Sequence, residues 1–220
     1  SMFVPLDRGL VHVLAQQFVE EFDKSGMLEG KEFPDKGSAP PFMLALIGIP
    51  GSGKTTIARN LAPQLLAVVV QANSARYLIQ KYNAEHETSY SWGKNVLALV
   101  REVGQRLLTC GYSVILDGSS MDRENREEIR NLAQGCNASL HFIRIKVQLP
   151  IALMREKQRY LDRSWISSFD EFRIVPPERT DNILKNVQDR FEVERVLPSA
   201  DISHLIQEID NNTTFTALNR

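Results

Sequence analysis

The sequence predicts an α/β fold in which a mostly parallel β-sheet is covered by helices on both faces. Between residues 42 and 161, short apolar runs of strand length alternate with longer segments of helical periodicity. Helices of about ten or more residues between strands are what a crossover between parallel strands requires. These two observations together predict three layers, with the sheet lying between two layers of helices.

A helix is predicted ahead of this pattern. Residues 10–23 place apolar side chains at helical spacings and polar side chains opposite them, which is typical of an amphipathic helix. We expect its apolar face to pack on the main domain, and a helix that binds a partner protein is the alternative. The apolar positions are Leu10, Val13, Leu14, Phe18 and Phe22.

The chain divides into three predicted parts. Residues 29–41 are rich in proline, glycine and charge, which indicates a linker, so residues 1–41 form an N-terminal helix and linker. Residues 42–210 form the main domain, and the polar residues 211–220 are predicted to be a mobile tail. Residues 199–210 fit neither period cleanly and predict a last strand or helix beside the sheet. The other strands are expected at 42–48, 66–70, 112–117 and 140–147, and the helices at 54–64, 94–110, 122–135 and 150–161.

Length and charge limit the possible functions. A chain of 220 residues is about one large domain. Its 26 basic and 27 acidic residues nearly cancel, so the overall charge does not indicate a nucleic-acid coat or an anionic membrane surface. No apolar run approaches the ~18 residues of a membrane span. Cys110 and Cys136 have no metal-ligand spacing and are expected to be reduced thiols, which favours a cytoplasmic location.

A glycine-rich loop lies between the first strand and the next helix of the main domain, in "LALIGIPGSGKTTIA". Its glycines let the backbone fold around phosphate oxygens, and the following helix N-terminus adds a positive dipole end. Lys54 is expected to reach the β- and γ-phosphates, and Thr55 to ligate Mg²⁺. The order of strand, loop and helix favours ATP or GTP binding over an ordinary glycine turn. The expected nucleotide-binding residues are Gly48, Pro50, Gly51, Ser52, Gly53, Lys54, Thr55 and Thr56.

An aspartate ends a second apolar run, in "YSVILDGSS". Asp117 is there a candidate ligand of Mg²⁺ or of its water shell, because Mg²⁺ prefers hard oxygen donors. The alternative is a turn or helix-capping role, in which Ser119 and Ser120 could serve equally well.

Three arginines lie on one face of a predicted helix, in "PIALMREKQRYLDR". Arg155, Arg159 and Arg163 are spaced four residues apart, so their guanidinium groups line one side. We expect Arg155 and Arg159 to stabilise charge on a transferring phosphoryl group. A solvated face neutralised by Glu156 and Asp162 is the alternative.

These motifs together resemble the P-loop kinases of the polynucleotide-kinase and zeta-toxin kind. The segment "DGSSMDRENREEI" is similar to that group's Asp-x-Thr-Asn-x-x-x-x-x-Arg signature, with Asp117 and Arg126 in place and Ser119 and Ser120 where Thr and Asn are usual. The helix containing Arg155 and Arg159 resembles the group's lid, which also begins at a proline, here Pro150. The resemblance covers residues 42–195 and implies an ATP- and Mg²⁺-dependent phosphotransferase. It further implies that Lys54, Asp117, Arg155 and Arg159 are catalytic.

This sequence departs from the group's pattern at the end of the second strand. That group ends this strand in Asp-x-x-Arg, where the Asp is taken to accept the proton of the attacking hydroxyl and the Arg to bind phosphate or the acceptor. The matching residues here are Asn73 and Arg76, and contact with the acceptor or its phosphate is expected for Arg126 as well. An amide can orient a hydroxyl group but cannot deprotonate it.

Three explanations of this amide remain open. Transfer through a loose transition state depends mainly on positioning and electrostatics, so the enzyme could work without a base at residue 73. The base could instead come from Glu85, His86 or Glu87, or the protein could bind ATP and regulate a partner without transferring phosphate. The acceptor is left open among a polynucleotide 5′ end, a nucleoside, a sugar and a nucleotide sugar, and the charge does not indicate a nucleic-acid groove. A P-loop ATPase motor is disfavoured, because no second acidic pair follows the "VILD" strand.

Overall fold

The computed structural model describes residues 2–25, 39–118, 120, 122–161 and 180–213. Over these residues the chain forms seven α-helices and five β-strands. In chain order they are α1 (Arg8–Ser25), β1 (Phe42–Ile47), α2 (Lys54–Leu65), β2 (Ala67–Gln71), α3 (Ala72–His86), α4 (Lys94–Thr109), β3 (Ser113–Asp117), α5 (Arg123–Gly135), β4 (Ser139–Lys146), α6 (Leu149–Leu161), α7 (Thr180–Arg195) and β5 (Leu205–Asp210).

The strands form one sheet in the order β2-β3-β1-β4-β5, and every neighbouring pair in it is parallel. Parallel strands require crossovers, which the helices between them provide. All five strands therefore end at the same edge of the sheet. This arrangement confirms the predicted three-layer α/β fold.

Strand β1 lies in the middle of the sheet and is buried on both sides. Met43, Ala45 and Ile47 belong to the core cluster that includes residues of α4 and α5, whereas Leu44 and Leu46 pack with residues of α2. This division follows from the two-residue period of a strand, which sends successive side chains to opposite faces. A strand buried on both faces holds the loop that follows it in a fixed place.

Helix α1 packs intramolecularly, against α3 and α4, as expected. Leu14, Ala15 and Phe18 are completely or almost completely buried there and join the main core cluster. The prediction was wrong for Val13, whose relative exposure is 53%. Val13 precedes Leu14 by one residue, or about 100° around the helix, and so falls at the margin of the buried stripe. The side chain of Phe22 lies outside the described residues.

The segment before α1 is tied to the start of α4. Buried Asn95 accepts a hydrogen bond from the main-chain N–H of Leu6 at 2.9 Å and donates one to the carbonyl oxygen of Val4 at 2.9 Å. The N–H of Ser91 also donates to the Val4 carbonyl at 3.0 Å. The N-terminal segment therefore holds the connection between α3 and α4.

Two parts of the chain differ from the expected pattern. Residues 72–86 form α3, where the sequence predicted only a mixed segment. Residues 211–213 were expected to belong to a mobile tail, but they hydrogen-bond to the end of β4, to the residue before α6 and to Arg155 of α6. The residues after 213 lie outside the described part of the chain. The ambiguous segment at 199–210 forms a short 3-10 turn and the edge strand β5.

The structure also describes both cysteines and the helices that were searched for membrane spans. Cys110 and Cys136 are both free thiols. Within the described ranges, no helix combines the length and the apolar character that crossing a bilayer needs.

Candidate active site

Every strand of the sheet delivers a polar segment to the same edge. The glycine-rich loop follows β1, Asn73 follows β2, Asp117 ends β3, α6 follows β4 and Asn211 follows β5. Gln71, the last residue of β2, is paired in register with Asp117. Ligand sites of open parallel sheets lie at the carboxyl ends of the strands, so this edge is the candidate active site.

The glycine-rich loop has the backbone shape that its composition predicts. Gly51 and Gly53 have φ angles of 82° and 90°, in the left-handed region that favours glycine. A Cβ on Gly48 would lie 2.6 Å from the hydroxyl oxygen of Ser52, which is completely buried. The loop therefore needs glycine at these positions for conformation or for space.

Lys54 is the first residue of α2 and is folded back along the loop. Its ammonium group donates to the carbonyl oxygen of Gly48 at 2.7 Å and to that of Ile49 at 3.0 Å. Burial lowers the pKa of Lys54 to about 8. The loop thus holds a desolvated cation whose charge an incoming anion would stabilise.

Four other charged side chains act on Lys54. The carboxylates of Asp117 and Glu156 raise its pKa, and the guanidinium groups of Arg76 and Arg159 lower it, although burial has the largest effect. These residues come from β3, α6 and α3, which are remote in sequence. The fold therefore brings together Lys54, Asp117, Arg76 and Arg159, as the sequence analysis expected for a phosphate site.

Asn73 lies in the first turn of α3 and is bonded to Arg76. The guanidinium of Arg76 donates to Oδ1 of Asn73 at 2.6 Å. With Oδ1 bound to Arg76, Asn73 still has its Nδ2 donor and the second lone pair of Oδ1 to offer to a ligand. Its amide can orient a hydroxyl or bind an oxygen through Nδ2, but it cannot take up a proton.

The structure does not support a substitute base from residues 85–87. Glu85 and His86 lie in the last turn of α3, and Glu87 caps it. At 1.5 Å rise per residue, this end of the helix is about 18 Å from Asn73. His86 is exposed and stacks on Tyr82, with ring centroids 3.9 Å apart. The suggestion that this segment reaches over the acceptor was wrong, because a continuous helix separates it from the site.

The donor set around the loop fits Mg²⁺. Thr55 offers a hydroxyl in the first turn of α2, and Asp117 offers a carboxylate that is 5% exposed. Hydroxyl and carboxylate oxygens are hard donors, and Mg²⁺ at phosphate sites needs only one or two from the protein. Across the described residues, no cluster of three or more histidine, cysteine or acidic side chains could hold a metal by itself. This combination suits a Mg²⁺ ion that is shared with nucleotide phosphates.

Arg155 lies against the loop, but its guanidinium binds main-chain carbonyls. Nη1 donates to the oxygen of Gly51 at 3.0 Å, and Nη2 donates to that of Thr213 at 2.5 Å. Burial lowers its pKa from the usual value. The structure thus assigns Arg155 a contact that holds the loop, and its predicted role on the phosphoryl group stays a prediction.

The arginine-bearing face of α6 is not a solvated surface. Glu156 is 4% exposed and pairs with Arg159, with 3.6 Å between Oε1 and Nη1. The carboxylate of Glu156 does neutralise Arg159, as the alternative suggested, but this carboxylate is buried instead of lying on a solvated face. Asp162 and Arg163 lie outside the described residues.

Arg126 lies on α5 and is 3% exposed. Its Nη1 donates to the carbonyl oxygen of Ser120 at 3.1 Å, so it holds the connection between β3 and α5. Burial is the main cause that lowers its pKa. Contact with an acceptor remains a prediction for Arg126, and Ser119 of the same signature lies outside the described residues.

Sequence reasoning missed one residue of the site and undervalued another. Asn211 contacts the glycine-rich loop directly, although it lies in a polar segment with no recognisable pattern. Glu156 was considered only as a neutralising surface charge. The sequence feature that could have indicated Glu156 was its position one helical turn after Ala152. The main chain of Ala152 lies against Gly51 of the loop.

A parallel sheet with the glycine-rich loop between its central strand and the next helix is the arrangement of P-loop nucleotide-binding proteins. The chain belongs to the AAA domain family, whose model matches residues 43–189. The match confirms the resemblance to P-loop kinases that the motifs indicated.

Solved structures show the same fold at low identity. A gluconokinase from Sinorhizobium meliloti 1021 is 13% identical, with coverage of 81% of this chain and 87% of that chain and a TM-score of 0.52. A putative kinase from Chloroflexus aurantiacus j-10-fl is 16% identical, with coverage of 82% and 90% and a TM-score of 0.56. A structure of the PezAT chromosomal toxin-antitoxin system of Streptococcus pneumoniae is 18% identical, with coverage of 93% and 78% and a TM-score of 0.55. A comparison with curated proteins gives no significant match.

Proposed function

We propose that this protein is an ATP-dependent, Mg²⁺-requiring phosphotransferase that moves the γ-phosphate to a hydroxyl group. One observation carries the proposal: the loop lysine, Lys54, lies within electrostatic reach of Asp117, Arg76 and Arg159 at the carboxyl edge of the sheet. A desolvated lysine, a hard-oxygen ligand and two arginines are the parts that phosphoryl transfer needs.

Each residue has a distinct task in this proposal. The main-chain N–H groups of Gly51, Gly53, Lys54 and Thr55 bind phosphate oxygens, and Lys54 neutralises charge on the β- and γ-phosphates. Thr55 and Asp117 would hold Mg²⁺, which would neutralise developing charge on the phosphate oxygens. Arg159 stabilises the transferring group, with Arg155 holding the loop from outside.

The acceptor in this proposal carries an anionic or oxygen-rich group beside its hydroxyl. Arg76 and Nδ2 of Asn73 are both hydrogen-bond donors, and they follow the strand next to Asp117. Such a pair suits a phosphate or carboxylate on the acceptor. Among the open acceptors, a nucleotide sugar, an acidic sugar or a phosphorylated nucleoside fits this chemistry, and a polynucleotide 5′ end would bind through its backbone phosphates. The proposed location is cytoplasmic.

A protein that binds ATP and regulates a partner is the second candidate. It is favoured by one observation, the amide of Asn73 at the position where the family resemblance implies a carboxylate. This candidate predicts tight nucleotide binding without acceptor phosphorylation.

Transfer of label from γ-labelled ATP with Mg²⁺ tests the proposal. The panel would contain a 5′-hydroxyl oligonucleotide, nucleosides, nucleoside 3′-phosphates, acidic sugars and nucleotide sugars. We expect label on an anionic acceptor, and loss of at least ~100-fold in rate for Lys54→Ala. Lys185→Ala is the control, because Lys185 is an exposed lysine on α7. Undiminished transfer by Lys54→Ala would remove the loop from the mechanism.

A further inference from the structure

We infer that Asn211 is a positioning residue of the phosphate loop, and that it acts through the peptide between Ser52 and Gly53. Asn211 follows the edge strand β5 and lies 159 residues from Ser52 in sequence. Its Nδ2 donates to the carbonyl oxygen of Ser52 at 2.8 Å. The inference rests on the proposed nucleotide site and adds a residue that the glycine-rich motif does not contain.

Two further bonds fix the Asn211 side chain. Its main-chain N–H donates to the carbonyl oxygen of Lys146, at the end of β4, at 2.8 Å. The hydroxyl of Thr213 donates to its Oδ1 at 3.4 Å, which leaves Nδ2 as the atom that faces Ser52. The amide is therefore oriented by the sheet and by its own segment before any ligand binds.

The bond to Ser52 fixes the direction of a peptide plane. In a trans peptide the C=O and the following N–H point in opposite directions. Because the Ser52 oxygen is held toward Asn211, the N–H of Gly53 is held toward the opposite side, which the proposed function assigns to the phosphate. A preorganised donor costs no reorganisation when the anion arrives.

Gly53 and Asn211 are also matched in shape. A Cβ on Gly53 would collide with Nδ2 of Asn211. This steric requirement adds to the φ angle of 90° that already favours glycine there. Gly53 thus leaves room for the side-chain amide of Asn211, which orients the peptide between Ser52 and Gly53.

Arg155 holds the adjacent carbonyl of the loop. Its Nη1 binds the Gly51 oxygen at 3.0 Å, and its Nη2 binds the Thr213 oxygen at 2.5 Å. Two successive carbonyls of the loop, those of Gly51 and Ser52, are therefore fixed by α6 and by the segment after β5. The loop's phosphate-binding shape depends on both.

The test exploits two neighbouring asparagines with different partners. Asn211→Asp replaces the donor with an oxygen that repels the Ser52 carbonyl, and Asn211→Ala removes the bond without adding charge. Asn212→Asp is the matched control, because Asn212 Oδ1 accepts from the N–H of Gln148 at 2.8 Å, which a carboxylate can also do. It places the same new charge one residue away and keeps its bond.

Affinity is measured by calorimetry for Mg²⁺-ATP and for Mg²⁺-tripolyphosphate, which has neither base nor sugar. We expect Asn211→Asp to weaken both ligands by about tenfold or more, and Asn211→Ala by about threefold to tenfold. Asn212→Asp should stay within about twofold of the wild type. The free protein's Tm is recorded for each variant, and if Asn211→Asp does not fold, Asn211→Ala carries the comparison.

The outcomes separate this inference from the proposed function. Unchanged affinities in both Asn211 variants would overturn the inference while the nucleotide site stood. An equal loss of affinity in Asn212→Asp would overturn the inference, because it would show a general effect of the added charge. A loss of affinity for ATP but not for tripolyphosphate in the Asn211 variants would also overturn it, because it would show that Asn211 contacts the nucleoside. If the wild type bound neither ligand, the proposed function itself would fail.

Discussion

Arg76 donates to the amide oxygen of Asn73 across 2.6 Å, one turn along α3. With an aspartate at position 73, the same geometry would form an ion pair that neutralises the arginine and lowers the basicity of the carboxylate. The amide keeps Arg76 fixed and leaves its positive charge uncompensated by this neighbour. In the proposed acceptor site, the amide in place of a carboxylate would therefore favour binding of an anionic group over uptake of a proton.

The lowered pKa of Lys54 predicts that nucleotide binding takes up a proton. A bound triphosphate favours the charged form and raises the pKa of about 8 toward its ordinary range. Below pH 7 the lysine is already protonated and no uptake follows, whereas at pH 8.5 about 0.7 proton is expected. Calorimetry in buffers of different ionisation enthalpy measures this quantity. Lys54→Arg should show none at either pH, and a wild type without uptake at pH 8.5 would refute the coupling.

Glu156 is predicted to oppose nucleotide binding. Its buried carboxylate pairs with Arg159 at 3.6 Å and acts on Lys54, so it competes with an incoming phosphate for both cations. Glu156→Gln should tighten Mg²⁺-ATP binding by about threefold to tenfold at pH 6.5 and low salt, where Lys54 remains charged. Glu127→Gln is the control, because Glu127 forms a similar pair with Arg130 on α5 and its side chain is half-exposed. Weaker binding in Glu156→Gln would instead show that the carboxylate supports the site.

Asp117 is predicted to set the Mg²⁺ requirement. Asp117→Asn retains the size of the buried side chain but removes a charged oxygen ligand. Transfer should fall by about 100-fold or more, and the Mg²⁺ concentration at half-maximal rate should rise. Asp122→Asn serves as the comparison, since Asp122 is exposed and makes no side-chain cap bond at α5. An unaltered Mg²⁺ dependence in Asp117→Asn would place the metal elsewhere.

Asn95 is predicted to contribute to stability through the N-terminal segment. Asn95→Ala removes the bonds to Leu6 and Val4 and leaves the main-chain N–H of Leu6 without its partner, whereas the Val4 carbonyl keeps the Ser91 N–H, at a cost of roughly 1 to 3 kcal/mol in the free energy of unfolding. Thr109→Ala, at an exposed position on the same helix, should cost less than about 0.5 kcal/mol. Urea denaturation measures both. A loss in Asn95→Ala no greater than the control's would show that the segment is not held by this residue.

The sequence was sufficient for β1 to β4, because these strands are mostly buried apolar runs next to helices, whereas the largely exposed β5 left its segment ambiguous. The phosphate loop could also be predicted from the sequence, since Gly51, Gly53 and Lys54 are required by local backbone geometry and chemistry. Helix α3 was missed because its polar first turn, which contains Asn73, obscures the buried positions Ala75, Leu78 and Ile79. Their spacing of three and four residues was the helical signal.

Contacts between residues that are far apart in the chain could not be predicted from the sequence. Nothing local to Asn211 indicates that an edge strand would bring it to Ser52, and the helical spacing of Arg155 does not show that main-chain carbonyls bind it. Such contacts depend on which strands are neighbours. Local patterns identify the parts of the site, and the sheet order decides which parts meet.

The most direct measurement is γ-phosphate transfer by the wild type beside Asn73→Asp, over the same acceptor panel and with nucleotide affinity recorded for both. We expect the wild type to label an anionic acceptor, and Asn73→Asp to bind this acceptor more weakly because the new carboxylate neutralises Arg76. If only Asn73→Asp transfers label while both proteins bind ATP, the natural protein is a nucleotide-binding regulator and the phosphotransferase account is wrong.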